Sequence, residues 1–287
     1  MNETKKNYSM KRFMQWVRVA ALICGTNVFL SSCSKDDDND PVKKCRLVER
    51  KEVYSDTDAY YITRYSYDAQ GRLASFVREG YNTDWGNITE ANFTYTYGDH
   101  FIKEQHGNEG YDLYTLNDDG LIVKHETIRT KDGVEGVTTS FSYQYDNGRI
   151  SFYKETENTE GYLFQWKDGD LMTYYLDTKR DVEDITEYTR SELMVDHGYI
   201  KPPSNMMREP LYMMGYYGKP SKHLESHKTN SAKTGPVSVI YEFDFTYTLD
   251  KGHIVELVDN HKVTTDMGVS KTEKIVKQTS TFTYEEY

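Results

Sequence analysis

Cysteine is scarce in this chain: 287 residues hold three, at positions 24, 33 and 45. Cys24 and Cys33 fall in an N-terminal stretch that reads as removed or modified. That leaves Cys45 alone, so no intramolecular disulfide can form and burial of side chains must hold the fold. Proline is scarce too, with 6 residues against 26 tyrosines. Long apolar runs are missing: the one N-terminal run holds about 12 residues, and a membrane-spanning helix needs roughly 20. The signatures of phosphate loops, nucleophile elbows and thiol–disulfide chemistry are absent, with no GxGxxG, GxSxG or CxxC. No excess of basic residues exists either.

What is present begins with an export signal. Lys5, Lys6, Lys11, Arg12 and Arg18 precede the apolar stretch that runs from Val19 through Leu30. A basic region followed by a short apolar region predicts a secretory signal over residues 1–32. Leu30, Ser31, Ser32 and Cys33 resemble a bacterial lipobox, which implies cleavage before Cys33 and acylation of its thiol. Each buried methylene contributes about 0.8 kcal/mol, so two or three chains anchor stably where one does not. Residues 33–44, with Asp36, Asp37, Asp38 and Asp40, read as an acidic flexible tether. Serine and an acidic run after the cysteine also resemble the surface-export signal of Bacteroides-group lipoproteins. The resemblance implies an outer-membrane, lipid-anchored protein facing the cell exterior.

The signal carries five of the 35 basic and one of the 46 acidic side chains, so the mature chain holds 30 and 45, a net of −15. Phosphate binding needs clustered Lys and Arg, so nucleic acid is excluded as a partner. The membrane is expected as a partner through the lipid anchor only.

The tyrosines fall in a repeat. Tyr65, Tyr67, Asp68, Gly71 and Leu73 match Tyr143, Tyr145, Asp146, Gly148 and Ile150. Looser copies start at Tyr95, Tyr114, Phe164 and Phe245. Alternation places the aromatics on one face of a strand. Asp or Asn then opens a turn and Gly takes the positive-φ position. Turn glycines at 71, 98, 120, 148 and 169 are spaced by 21 to 28 residues, which leaves two strands of roughly 8–11 residues per unit. Residues 45–287 thus read as one all-β domain, an up-and-down antiparallel meander of about 12–15 strands curled into an open or closed barrel. The best copies resemble the tyrosine–aspartate repeats of large bacterial shell-forming proteins, a likeness of hairpin physics. A membrane-spanning barrel needs an outward band of Leu, Val and Phe with Tyr and Trp at its rims. Here Tyr sits in mid-strand opposite Thr, Ser, Gln and charges, and the mean hydropathy is −0.79.

The repeat pauses over 192–236, which holds four of the prolines before Pro236 and five methionines: Met194, Met206, Met207, Met213 and Met214. This irregular insertion, with a short helix expected near Leu211, reads as a plug or cap on the concave face of the sheet. Met213 and Met214 are also candidates for an adaptable ligand contact, because methionine repacks easily. The lipobox, the Tyr-x-Tyr hairpins and a late segment from Gly218 to Leu224 together resemble an uncharacterised family of Bacteroides-group lipoproteins described as having a porin-like fold. That family implies no catalytic residue.

The residues themselves nominate little chemistry. His223 and His227 are spaced to share one helix face and a metal, but the run of Lys, Thr, Asn and Ser after them reads as a solvated loop. No metal, no cofactor and no catalytic residue is expected. Trp85, in a polar loop, is the better candidate than Trp166 for an exposed ligand contact. The expected function is non-catalytic binding of a glycan or protein ligand. Two alternatives are a hydrophobic carrier, which requires an open apolar concavity, and a glycoside hydrolase, which requires two convergent carboxylates.

Overall fold

The computed structural model describes residues 45–287 apart from 83–85, 109, 132, 178–181, 195–198, 205–206 and 269. The expected signal and tether lie outside these residues. The chain forms β1 (Cys45–Tyr54), β2 (Tyr60–Tyr67), β3 (Leu73–Asn82), β4 (Gly86–Gly98), β5 (Phe101–His106), β6 (Gly110–Leu116), β7 (Ile122–Lys131) and β8 (Val134–Asp146). It continues through β9 (Arg149–Glu155), β10 (Gly161–Lys167), β11 (Asp170–Asp177), β12 (Val182–Met194), β13 (His223–Thr234), β14 (Val237–Asp250), β15 (His253–Asp266) and β16 (Lys271–Glu286). Every strand pairs antiparallel with its neighbours in sequence, and β16 returns to β1, so the meander closes into a barrel without edges.

Local chemistry sets the turns at one end. Asn147 and Gly148 have φ of 51° and 75°, Asp168 and Gly169 54° and 97°, and Lys251 and Gly252 47° and 81°. Two consecutive positive values define the hairpin turn whose twist matches that of the strands. At two other turns the first residue's side chain does the work. Asp68 Oδ1 accepts from the amides of Gln70 and Arg72, and Asn117 Oδ1 from those of Asp119 and Leu121. Gly98 differs from expectation: it ends β4 with ordinary φ, and its missing Cβ leaves room for the Phe101 ring.

The aromatic faces point into the barrel. Tyr65, Phe76, Tyr95, Tyr143, Phe164 and Phe245 belong to one buried cluster. The opposite face is wet. Arg64 on β2 bridges Glu49 on β1 and Glu79 on β3 at 3.3 and 2.9 Å. Lys262 on β15 likewise bridges Glu242 and Glu273 at 3.7 and 3.4 Å.

The aromatic-x-aromatic repeat has a specific bonding role. The last ring of the even strand donates to a carbonyl near the start of the odd strand before it. Tyr67 bonds Leu47 O, Tyr97 Leu73 O, Tyr145 Ile122 O, Trp166 Ile150 O and Tyr284 Ile254 O, at 2.6 to 3.0 Å. In three units the arginine before that aliphatic residue covers the ring: Arg46 on Tyr67, Arg72 on Tyr97 and Arg149 on Trp166. The recurrence of Arg–Leu or Arg–Ile after the turn follows from this contact.

Between β12 and β13 the chain enters the barrel. Helix α1 (Glu209–Met213) is five residues long, with Pro210 in its first turn, where no amide is missed, and Gly215 at φ 82° just beyond its end. Met207, Leu211, Tyr212 and Tyr217 are buried at 0–6 % exposure. Backbone bonds fasten the segment to the wall: Ile122 N to Tyr216 O, Lys219 N to Gly148 O, and Lys222 N to Gly169 O. Sixteen strands enclose an aqueous channel in porins; among the described residues this lumen is packed with tyrosines and the inserted segment.

Two boundaries differ from the sequence reading. The barrel has sixteen strands, one above the expected range, and the insertion is shorter than 192–236 because Glu192–Met194 finish β12 and His223–Thr234 form β13. The second difference has a physical cause. The inward residues of β13 include Lys228 and Asn230, and Asn230 bonds Asp184 and Thr186 on β12, so no apolar alternation marks the strand.

Candidate functional site

Charged groups meet inside the barrel at the start of α1. Arg208 Nη2 lies 2.8 Å from Glu104 Oε1 on β5 and 3.2 Å from Asp112 Oδ2 on β6. The next residue faces other strands: Glu209 accepts from Arg50 on β1 at 2.7 Å and from the Tyr65 hydroxyl on β2 at 3.0 Å. His106 Nε2 sits 2.9 Å from Glu104, and His125 Nε2 3.2 Å from Asp112. Burial alone would raise the Asp112 carboxyl, but the close approach and charge of His125, then His106 and Arg208, outweigh it and hold it at about 2.

Glu104, His106 and Asp112 each offer a donor atom within 4.8 Å of the others, a spacing suited to a metal. The Arg208 guanidinium already contacts both carboxylates, so the inserted segment supplies the cation itself. The same two acids are the most buried carboxylates described, and they face Arg208 rather than a cleft. The network fastens the plug.

The open depression lies beside it, where β11, β12, β13, β14 and β15 meet residues 199–203 and 221–225. Its volume is about 40 Å³, with Tyr188, Arg190, Tyr212, His223, Glu225 and Tyr247 among its walls. Lys201 and Lys222 also border it. Arg190 breaks the repeat. Tyr188, Thr189 and Arg190 stand where β2, β4, β8, β10, β14 and β16 carry aromatic, polar, aromatic and β6 ends on Leu116, and the guanidinium takes over the bond to the carbonyl, donating twice to Leu171 O at 3.0 and 2.5 Å. The next hairpin departs as well. Leu224 O on β13 accepts from Ser191 Oγ at 3.1 Å, so the Tyr247 hydroxyl on β14 is left facing the depression. In these two adjacent units no ring makes the repeat bond, and both border the pocket.

Of the sites expected from sequence, Cys33 and Trp85 lie outside the described residues. Met213 is half-buried against the core cluster and Met214 is 36 % exposed; neither lines the pocket. His223 and His227 are in β13, not a loop. Their ring nitrogens go to separate acids: His223 Nδ1 to Asp170 at 2.7 Å and His227 Nδ1 to Asp244 at 2.8 Å. The apolar concavity that a hydrophobic carrier requires is occupied by Met207, Leu211, Tyr212 and Tyr217. Sequence reasoning missed Arg190, Lys201 and Glu225. The departure of Arg190 from the aromatic repeat was the available signal.

The fold has solved relatives. A porin-like protein from Bacteroides uniformis ATCC 8492 superposes with a TM-score of 0.59 at 14 % identity, covering 83 % of this chain and 98 % of that one. A porin-like protein from Bacteroides vulgatus ATCC 8482 superposes with a TM-score of 0.51 at 11 % identity, covering 84 % and 99 %. These likenesses concern the fold. No curated protein matches the sequence. The family model described as a domain of unknown function (DUF4595) with porin-like fold matches residues 65–256. That match spans two thirds of the sequence, from the first full Tyr-x-Tyr hairpin into β15, and the chain belongs to this family.

Proposed function

We propose that the protein is a lipid-anchored recognition module of the outer membrane, with its barrel standing in water at the cell exterior and binding a glycan or protein ligand without chemical turnover. The carrying observation is the inverted polarity of the barrel. Its lumen is packed with aromatic rings and a plug, while ion pairs such as Glu49–Arg64–Glu79 line its outer wall at about half exposure. A lipid-facing wall requires the reverse, because a charged side chain at the bilayer midplane costs about 2–4 kcal/mol. An anchor outside the barrel, at Cys33, is consistent with that polarity. Glu104 and Asp112, the most buried acids described, are committed to the plug, and among the described residues the depression around Arg190 and Tyr247 offers an accessible polar site.

Two measurements test this reading. Protease treatment of intact cells should remove the barrel, and Cys33→Ala should empty the outer-membrane fraction of the protein; a protected protein, or one that still reaches the outer membrane without Cys33, sinks the topology. A screen of the purified chain against glycans and cell-surface proteins, with Trp85→Ala alongside, should return at least one saturable ligand. Conductance in planar bilayers would replace the reading with that of a channel.

A further inference from the structure

Resting on the reading of a recognition module, we infer that the depression around Arg190 takes the carboxylate-bearing ring of an acidic sugar. The chain as a whole carries a formal charge of −11, yet Arg190, Lys201 and Lys222 line this pocket against one acid, Glu225. Among the described residues neither Arg190 nor Lys222 has a carboxylate partner. Lys201 reaches Asp259 at 3.4 Å, a long contact beside the 2.7 Å of Arg50 to Glu209. Lys228 stands behind the Tyr188 ring, 5.9 Å from its centroid, and also has no carboxylate within ion-pair distance. Burial, and then the charge of Lys201, weaken its protonated form. An anion in the pocket relieves this excess of positive charge.

The remaining walls select among anions. Tyr247, the half-buried tyrosine of the lining, offers ring surface to the C–H face of a sugar, while Arg190 covers the Tyr188 ring and Arg50 and Phe282 cover that of Tyr199. The Tyr212 and Tyr247 hydroxyls and the Glu225 carboxylate have no hydrogen-bond partner among the described residues. They match the hydroxyl groups of a sugar, which both donate and accept. A neutral sugar would satisfy these groups and leave the cations uncompensated. Inorganic phosphate would compensate the cations and leave Glu225 and the tyrosines unpaired, at a cost for each. Only a ring carrying both hydroxyls and a carboxylate uses the whole wall. The cavity volume of about 40 Å³ holds roughly three waters at ~10–15 Å³ each. It therefore takes the carboxylate and its ring carbon, with the rest of the ring at the mouth.

Calorimetric titration of the purified full chain with glucuronate, glucose and inorganic phosphate tests the inference. Glucuronate should bind saturably and at least tenfold more tightly than either of the others. Lys222→Glu, at an exposed position, should weaken glucuronate at least tenfold, and Glu225→Gln should not weaken it more than threefold. Arg190→Gln should abolish binding; because Arg190 also holds Leu171 O, its thermal unfolding is measured in parallel, and the Lys222 variant stands independently of it. Glucose bound as tightly as glucuronate overturns the acid preference and leaves the recognition reading intact. Phosphate bound as tightly as glucuronate overturns the sugar preference. No saccharide bound here, together with hits elsewhere in the ligand screen, overturns this site alone; no ligand in either experiment overturns both readings.

Discussion

Arg50 and Glu209 meet inside the barrel at 2.7 Å although 159 residues of chain separate them. Arg50 is 5 % exposed, and Glu52 at 3.4 Å is its other ion-pair partner, so removing Glu209 leaves the buried guanidinium only its longer contact. Breaking a buried pair from one side costs about 3–5 kcal/mol, whereas replacing both partners with apolar residues is often neutral. Arg50→Met and Glu209→Met should each lower stability by about 3 kcal/mol, and the double variant should recover most of that loss. Urea unfolding of the four proteins checks it; additive losses would mean that the pair does not act as a unit.

Asp112 gives the barrel an acid limit. Its carboxyl titrates near 2 in the folded protein, below the ordinary value of about 3.9. A depressed folded value contributes stability that is full above the unfolded value and is lost as the pH falls from about 4 to 2. The contribution amounts to about 2 kcal/mol. Asp112→Asn should flatten the dependence of the urea midpoint on pH in that window. An unchanged slope would assign the acid sensitivity to other carboxylates.

The repeated ring-to-carbonyl bonds make a graded series. Tyr67→Phe, Tyr97→Phe and Tyr145→Phe should each cost about 1 kcal/mol by leaving a strand carbonyl unpaired. Tyr111→Phe is the control: its hydroxyl reaches Glu135 at 3.2 Å on the exposed face, and its loss should fall within 0.5 kcal/mol of zero, in the range of about ±0.5 kcal/mol for surface changes. Differential scanning calorimetry ranks the four, and equal melting temperatures would deny the bonds a role.

Gly218 and Gly120 separate two costs of substitution. Both have positive φ, 87° and 77°. Around Gly120 an added Cβ meets open space, whereas at Gly218 it comes within 2.5 Å of Gly148 O. Gly120→Ala should cost about 1–2 kcal/mol from the left-handed backbone alone. Gly218→Ala should cost more and should loosen the plug, seen as faster amide exchange at Lys219. Equal effects at both sites would mean that the contact with Gly148 yields.

How much of this was legible follows from where each signal resides in the chain. Tyr65, Tyr67, Asp68 and Gly71 encode a hairpin within seven residues, and that locality made the meander readable. The methionines and prolines after Met194 betrayed an element that leaves the sheet. Strand β13 was invisible because Lys228 and Asn230 face inward against polar partners, which erases the alternation. The pocket and the plug's ion pairs join residues about 50 to 160 positions apart, such as Asp170 with His223 and Arg50 with Glu209, and no local pattern specifies such partners. Arg190 was the exception: it breaks a repeat that was on view.

The seam between β1 and β16 has a consequence for how the barrel comes to exist. Hairpins from β1 to β12 and from β13 to β16 close over short loops, but at the seam, where Cys45 pairs with Glu286, Arg46 must find Glu285 across 239 residues. Closure over such a span is slow because its entropy is lost before any contact rewards it. Until the seam zips, the nascent sheet presents two bare edges and an unfilled aromatic face, the combination most prone to self-association. The charges along the outer wall, and the long strand β16 with Lys271, Lys274 and Lys277, then guard an assembly intermediate as much as the finished barrel. Pulse-labelled hydrogen exchange should show protection arriving in the hairpins first and along β1 and β16 last.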